Sequence, residues 1–273
     1  MSNLLLRVIT ALLLLPVVIY ALWSGGPFLL ALLGLVSLFC SIEIAGIIRP
    51  KNNFYLCLAL IFWAGLFSPL VVTTSAPHAL ALMSVVLLIS NSVILFKQNL
   101  DQQGLEKLAT IFYFIFYIII GMGCLYWLSA AHISLVFLAC IATWANDSCA
   151  YFGGRAFGKH PLFKSVSAKK TWEGFIAGAV GSLLIIMALE FFIAPQALHP
   201  FYGLKLGDFL WVALPALILA PLGDLIESRL KRIYNIKDSS NILPGHGGLL
   251  DRIDALLLVI PWTALYAFFI RPL

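Results

Sequence analysis

Charged residues are scarce in this chain: Asp, Glu, Lys and Arg make up 11% of its 273 residues, whereas 62% are hydrophobic. Soluble globular domains contain about 25% charged residues, so this composition excludes an ordinary soluble domain. The long apolar segments also lack the alternation of polar and apolar residues that marks the strands of a membrane β-barrel. The sequence therefore predicts an all-α, polytopic transmembrane protein.

Several common functional motifs are absent as well. The five cysteines are scattered and form no CxxC pair, which excludes a zinc signature and gives no disulfide framework. No GxxxxGK[ST] sequence occurs, so a P-loop is excluded, and no nucleic-acid partner is expected. The first apolar stretch is long for a signal-peptide core and no suitable cleavage site follows it. We therefore expect it to remain as a membrane helix.

Nine apolar stretches are long enough to cross a bilayer, which takes roughly 20 residues of helix. They lie at about 4–23, 27–47, 54–73, 79–96, 109–129, 133–152, 174–194, 208–226 and 253–270. With a cytoplasmic N-terminus, the flanks on the cytoplasmic side hold every Lys and Arg except Lys205 and Arg271. Such asymmetry is the positive-inside pattern, so the sequence predicts about nine helices and a cytoplasmic N-terminus.

The polar residues are distributed unevenly between the two halves of the chain. Residues 146–174 and 224–254 contain nearly all of the dense polar sequence, and both segments are predicted to face the cytoplasm. We interpret residues 1–130 as N-terminal transmembrane scaffold helices and residues 131–273 as the catalytic part of a single membrane-embedded unit. An isolated acid in the scaffold, Glu43, is expected to pair with a cation at a helix end or to line a cavity.

The first polar segment combines an acid near a helix end with lysines beside a helix start. Asp147 stands where an ionised group is costly unless it faces protein or water, which makes it a functional candidate. Thr171 is typical of a helix N-cap, and Lys169 and Lys170 directly precede it. Because helix N-termini favour anions, this arrangement predicts phosphate binding. The alternative is that the lysines only anchor the chain to lipid headgroups.

The second polar segment begins with Asp224, near the end of the eighth span. On a helix, Ser228 and Lys231 follow it at i+4 and i+7 and share its face. Asp251 and Asp254 stand at i and i+3 and are predicted to share one face in the first turn of the last helix. Carboxylates from two helix ends would repel one another. A hard divalent cation such as Mg²⁺, shared with substrate phosphates, resolves that repulsion.

A glycine-rich turn, GHGG around His246, separates these two helix ends. Glycine lets the backbone turn tightly and approach a ligand closely, so we interpret the turn as an element that receives phosphates. The alternative is purely structural: the two aspartates of the last helix would cap it and pair with Arg229 or Arg232. That reading accounts for one aspartate but not for three acids together with the turn.

Residues 228–254, SRLKRIYNIKDSSNILPGHGGLLDRID, resemble the signature of the phosphatidate cytidylyltransferase family, also called CDP-diacylglycerol synthases. The fixed positions of that signature are occupied here by Ser228, Lys231, Arg232, Lys237, Asp238, His246, Gly247, Gly248, Asp251, Arg252 and Asp254. The upstream sequences DSCAYFGGRAFGK and SAKKTWEG are also similar to the family, except that Ala168 stands where members usually have proline. The resemblance is specific over the C-terminal half and general over the first five spans.

The resemblance implies an enzyme of phospholipid biosynthesis that joins CTP to phosphatidate and releases pyrophosphate. It implies a homodimer in the inner, cytoplasmic membrane with its active site facing the cytoplasm, and Mg²⁺ held by Asp224 and Asp251 with K⁺ as the candidate second metal. The candidate catalytic residues are Asp224, Asp251, Asp254, Lys231 and His246. The candidate substrate-binding residues are Asp147, Lys169, Lys170, Ser228, Arg232, Lys237, Asp238, Gly247, Gly248 and Arg252.

Two other functions are open to a membrane protein with these acids. A CDP-alcohol phosphatidyltransferase also uses aspartates and a metal, but its hallmark begins with Asp-Gly, a pair that this sequence lacks. A secondary transporter of an anionic substrate would have acids at mid-bilayer and matching interrupted helices in two halves. The acids here cluster at one face and no inverted repeat is visible, so the enzyme interpretation is favoured.

Overall fold

The computed structural model describes residues 3–48, 59, 61–64, 66–69, 102–164, 166–192, 201, 203–236, 239–240, 242–243, 245 and 247–271. Helix dominates these residues, which confirms the all-α prediction. The predicted span at 79–96 lies outside the described residues. Only part of the span at 54–73 is described, and that part is helical.

Among the described residues, seven helices and a two-stranded hairpin have defined bounds. The helices are α1 (Asn3–Ser24), α2 (Gly26–Ile48), α3 (Gln102–Phe157), α4 (Trp172–Phe192), α5 (Leu206–Ile233), α6 (Leu250–Ile253) and α7 (Leu256–Ile270), and the strands are β1 (Pro161–Phe163) and β2 (Ser167–Thr171). The antiparallel hairpin of β1 and β2, which the sequence did not predict, connects α3 to α4.

Five helical stretches are long and apolar enough to cross a membrane: Gly26–Ile48, Glu106–Phe157, Trp172–Phe192, Leu206–Ile233 and Leu250–Ile270. A shorter apolar stretch, Leu12–Ser24, lies in α1. Large apolar side chains such as Phe191 and Phe192 are more than two-thirds exposed, as side chains that face lipid are. The chain is therefore an integral membrane protein, and the number of nine spans stays a prediction.

The long helix α3 contains a break that the span pattern anticipates. His132 has φ −147° and ψ 67°, values outside the helical region, so α3 consists of two helices that meet there. This position falls between the predicted spans at 109–129 and 133–152. The Nε2 atom of the His132 side chain lies 3.0 Å from the carbonyl oxygen of Arg271, so a hydrogen bond joins the break to the end of α7.

The chain divides into two compact units. The first comprises Met1–Trp127 and Asp238–Leu250, and the second comprises Leu128–Lys237 and Asp251–Leu273. Within the first unit, α1 packs against α2, and the α2 residues Leu29 and Cys40 are fully buried. The middle of the signature sequence therefore belongs to the same unit as the N-terminal helices.

The second unit packs α5 against both α4 and α7. Its helix contacts are lined with small residues, among them Ala213, Ala216 and Ala220, which are fully buried. Gly223 marks the closest approach: a Cβ atom there would lie 2.6 Å from the carbonyl oxygen of Asp254. Because glycine has no side chain, α5 can touch the backbone of the turn between α6 and α7.

Candidate active site

A cavity of about 500 Å³ opens within the second unit. It is framed by the end of α3, strand β2, the start of α4, the end of α5 and the short helix α6. Its lining includes four carboxylates and four cations. These are Asp147, Asp224, Asp251 and Asp254, together with Arg155, Lys169, Lys170 and Arg252. Seven of these eight residues were predicted as site residues from the sequence, and the structure brings those seven together.

Asp224 is the most open of the paired acids. Its Oδ2 lies 2.6 Å from the Nζ of Lys170, and its Oδ1 accepts a hydrogen bond from the Ser228 hydroxyl at 3.1 Å. The side chain of Asp224 is nevertheless 45% exposed. The predicted i+4 relation of Ser228 is confirmed, since α5 continues without interruption past both residues. A carboxylate this open keeps lone pairs for a further partner.

Asp251 contacts a buried lysine that does not line the cavity. The ammonium group of Lys231 contacts Oδ1 of Asp251 and lies 3.5 Å from Oε1 of Glu227. Lys231 and Glu227 are both buried, and neither lines the cavity. Lys231 was predicted to contact substrate. The structure instead places it behind Asp251 and away from the cavity surface, where a phosphate-binding group would have to lie.

The sequence predicts Asp254 in the first turn of the last helix. In the structure, Asp254 lies instead in the turn between α6 and α7. Helix α6 ends at Ile253 and α7 begins at Leu256. The Oδ1 of Asp254 accepts the backbone N–H of Ala255 at 2.7 Å, a local bond that competes with helical pairing. Asp251 and Asp254 still line the same cavity, but they do so from two different backbone elements.

The β2–α4 junction positions the two lysines of the first polar segment. Lys169 and Lys170 belong to β2, and Thr171 ends that strand and begins the turn into α4. The hydroxyl of Thr171 accepts the backbone N–H of Gly174 at 3.1 Å, so the predicted N-cap is confirmed. Lys169, Lys170 and Thr171 all line the cavity, which puts cationic groups beside a helix N-terminus.

The sequence interpretation missed two groups of the site. Asn146 lines the cavity and is 1% exposed, and among the described residues neither its amide oxygen nor its amide nitrogen has a hydrogen-bond partner. Arg155 also lines the cavity, one helical turn after Tyr151. The signal for Asn146 was present, because it directly precedes an acid near a helix end, but the prediction rested on charged side chains and an amide carries no charge.

Some predicted site residues stand elsewhere. Arg232 is exposed and donates to the carbonyl oxygen of Ile236 at 2.8 Å. Gly247 and Gly248 belong to the Asp238–Leu250 part of the first unit. Three more predicted site residues lie outside the described part of the chain: Lys237, Asp238 and His246.

Metal binding by protein side chains alone is not indicated. In the part of the chain that the structure describes, no group of three or more His, Cys, Asp or Glu residues is arranged to hold a metal ion. The two predicted metal ligands, Asp224 and Asp251, do line the same cavity. Both also contact lysine ammonium groups, which shows that positive charge is favourable beside each of them.

Comparison with known proteins gives a consistent set of relatives. The sequence pattern of the cytidylyltransferase family matches residues 5–270. The chain is 38% identical to the phosphatidate cytidylyltransferase of Bacillus subtilis (strain 168) over 189 residues, which cover 67% of this chain and 65% of that protein. It is 42% identical to the phosphatidate cytidylyltransferase of Haemophilus influenzae over 135 residues, or 48% of this chain and 44% of that protein. The matched part thus spans less than two thirds of each relative.

Proposed function

The chain belongs to the cytidylyltransferase family, and we propose that it is a phosphatidate cytidylyltransferase, which forms CDP-diacylglycerol and pyrophosphate from CTP and phosphatidate. The observation that carries this proposal is a cavity in which carboxylates and cations meet at the ends of apolar helices. Such a site suits a reaction between a polyanionic nucleotide and a lipid phosphate, because both charge signs are needed to position phosphates and their counter-ions.

In the proposed reaction, an oxygen of the phosphatidate phosphate attacks the α-phosphorus of CTP. A new P–O bond forms there, the bond from the α-phosphorus to the bridging oxygen breaks, and pyrophosphate leaves with that oxygen. The protein contributes mainly by positioning both substrates and neutralising charge. Lys169, Lys170 and Arg252 line the cavity and are the proposed phosphate-binding groups, with the forked guanidinium suited to two oxygens of one phosphate.

We propose Asp224 and Asp251 as the residues that hold Mg²⁺, with K⁺ as the second metal. The donor set fits, because Mg²⁺ usually takes one or two protein carboxylates and completes its coordination with water and substrate phosphates. When bound, the metal would neutralise charge that develops on the leaving group. Lys231 then acts through Asp251: the contact with the buried ammonium group fixes the direction in which that carboxylate points. Asp254 is proposed to orient the same site from the α6–α7 turn.

The location proposed for this enzyme is the inner membrane, with the cavity open to the cytoplasm. The support is the positive-inside pattern, which puts the flanks containing Lys169, Lys170 and Arg252 on the cytoplasmic side. CTP would enter from the cytosol and phosphatidate laterally from the lipid. We also propose a homodimer, to be tested by the mass of the detergent-solubilised protein.

The decisive test is an assay of the purified protein in detergent with phosphatidate, labelled CTP and Mg²⁺. We expect labelled CDP-diacylglycerol and release of pyrophosphate in equal amounts, and no product when Mg²⁺ is chelated. Omitting phosphatidate is the matched control. Lack of product in the complete mixture, or solute uptake into vesicles that needs no phosphatidate, would refute the proposal.

A further inference from the structure

Helix α2 contains a buried carboxylate that the cavity does not use. Glu43 lies in the last part of a helix long and apolar enough to cross a membrane, and it is 1% exposed. An acid in such a place is costly unless its oxygens are satisfied by donors. The identity of those donors therefore indicates what the residue is for.

Within the described residues, the donors to Glu43 come from one distant segment of the first unit. Its Oε1 accepts the hydroxyl of Ser240 at 2.6 Å and the backbone N–H of Leu249 at 2.7 Å. Its Oε2 accepts the backbone N–H of Leu250 at 2.8 Å. The Glu43 carboxylate thus contacts both ends of the segment that runs from Ser240 to Leu250.

Between these contacts, a bridge joins Leu243 to Gly247 as in a tight hairpin. Leu243 and Gly247 exchange two backbone hydrogen bonds, at 2.9 and 3.1 Å. Gly245 and Gly247 have φ values of 75° and 86°, which strongly favour glycine. The hydroxyl of Ser240 also accepts the N–H of Ile242, so Glu43 is linked to the first strand of the hairpin as well as to its exit. This segment, residues 240–250, is the glycine-rich signature loop.

We infer that Glu43 is a positioning residue, which closes the signature loop at both ends and fixes the backbone that leads into α6. The inference rests on the proposed function, because the loop is part of the signature of the proposed enzyme. Leu250 is the first residue of α6, and Asp251, the proposed metal ligand, follows it in the chain. Glu43 touches no reacting group, so it acts on turnover only through the loop.

The chemistry of the contact makes glutamine an informative replacement. A carboxylate only accepts hydrogen bonds, whereas a glutamine amide has one accepting oxygen and one donating nitrogen. In Glu43→Gln, the oxygen can keep Ser240 and Leu249, but the amide nitrogen then faces the N–H of Leu250. The shape of the side chain is retained and the contact at the start of α6 is lost.

Asp208 offers a matched control in the other unit. It is also 1% exposed and also accepts a backbone N–H, that of Lys205, in addition to the hydroxyl of Tyr266 at 2.7 Å. It does not line the cavity. Asp208 also pairs with Arg271, so Asp208→Asn removes an equally buried carboxylate whose partners lie outside the signature loop.

The experiment combines hydrogen exchange of residues 239–250 with steady-state kinetics of the full-length protein in detergent. For Glu43→Gln we expect faster exchange at Leu249 and Leu250 and a fall of about 10–100-fold in kcat/KM for CTP, the range found when a metal ligand loses its outer partner. Glu43→Asp, which keeps the acceptor chemistry, should recover part of that loss. Asp208→Asn should leave exchange in this segment and kcat/KM per folded molecule unchanged.

Each result decides a separate claim. If exchange at Leu249 and Leu250 is unchanged in Glu43→Gln, Glu43 does not hold the signature loop. If exchange is faster but the kinetics are unchanged, holding the loop does not position the active site. If Glu43→Gln does not fold, Ser240→Ala removes one contact of Glu43 and must still accelerate exchange at Leu249, whose N–H shares Oε1 of Glu43 with the Ser240 hydroxyl. If the wild-type protein makes no CDP-diacylglycerol, the proposed function fails. The exchange data still test whether Glu43 holds the signature loop.

Discussion

Two acidic sites on the same helix differ in what surrounds them. Asp208, at the start of α5, is 1% exposed and accepts from Lys205 N–H, from Tyr266 and from Arg271, whose Nε lies 2.7 Å from Oδ1. Asp224 lies roughly 24 Å further along the helix, at about 1.5 Å per residue. It has a lysine and a hydroxyl as partners, and its side chain is 45% exposed to the cavity.

The contrast shows how to separate structural acids from functional acids in a membrane protein. Asp208 has its oxygens satisfied by protein groups, so no ligand is needed to explain its burial. Asp224 and Asp251 line an open cavity and hold lysine ammonium groups, which a metal with phosphates can replace. An intramembrane acid indicates ligand binding where the protein leaves part of its bonding capacity open, whereas a satisfied acid such as Glu43 acts only through the protein groups that it holds.

The largest expected effect is on the open acids. Asp224→Asn and Asp251→Asn each remove the charge of a proposed metal ligand, so we expect CDP-diacylglycerol formation to fall by more than about 100-fold, beyond the loss caused by an outer partner. The measurement is initial rate at saturating CTP and Mg²⁺. The thermal midpoint of Asp224→Asn should stay close to wild type, because this pair is largely solvated. Full activity in both variants would contradict the metal assignment.

Next in size is the loss of stability in Asp208→Asn. The replacement leaves the partly buried Arg271 without its counter-charge, and breaking a buried ion pair costs about 3 kcal/mol or more. Thermal unfolding in detergent should show a lower midpoint, while the initial rate per folded molecule stays at the wild-type value. If Asp208→Asn lowered the activity and left the stability unchanged, Asp208 would be a functional acid like Asp224 and not a structural one.

A smaller effect is expected at the contact between α5 and the α6–α7 turn. In Gly223→Ala, the new methyl group would lie 2.6 Å from the carbonyl oxygen of Asp254, so the turn must shift. Overpacking of this kind costs about 1–3 kcal/mol. Gly207→Ala is the control on the same helix, since its new methyl group meets no atom within 4 Å. Equal thermal midpoints in the two variants would show that the close approach is not needed.

The smallest effect concerns the amide of Asn146, which has no hydrogen-bond partner in the part of the chain that the structure describes. A buried polar group without a partner costs about 1–3 kcal/mol, so Asn146→Leu should leave the ligand-free protein as stable as wild type or more stable by about 1 kcal/mol. Turnover should fall if substrate supplies the missing partner. Ser182→Ala is the control, because the Ser182 hydroxyl is already bonded to the Ala142 carbonyl oxygen at 3.0 Å. Destabilisation by Asn146→Leu as large as that by Ser182→Ala would show that Asn146 is already paired.

Much of the site could be predicted from local sequence. The i+4 spacing of Asp224 and Ser228 and the capping by Thr171 are relations within one turn of helix, and both are confirmed. The prediction that the last helix includes Asp254 in its first turn was wrong. The Asp254 side chain accepts the N–H of Ala255, and α5 packs closely against the Asp254 backbone at Gly223. Spacing alone does not contain either contact.

Glu43 shows the same limit more sharply. The sequence predicted a cation at a helix end or a cavity as its environment, but its partners are a hydroxyl and two backbone N–H groups of the signature loop. Those partners lie about two hundred positions later in the chain, so no pattern around Glu43 could identify them. The signature, one continuous motif in sequence, is also divided between the two units.

The sequence by itself determined that this is a helical membrane protein of one recognisable family, with its acids and lysines gathered in two segments. These properties follow from hydropathy, charge and residue spacing, which add up locally along the chain. The tertiary structure decided which acid stays open, which lysine is buried beneath an aspartate and which scaffold residue holds the signature loop. Each of these depends on donors from remote segments, and a buried carboxylate is defined by the donors that reach it.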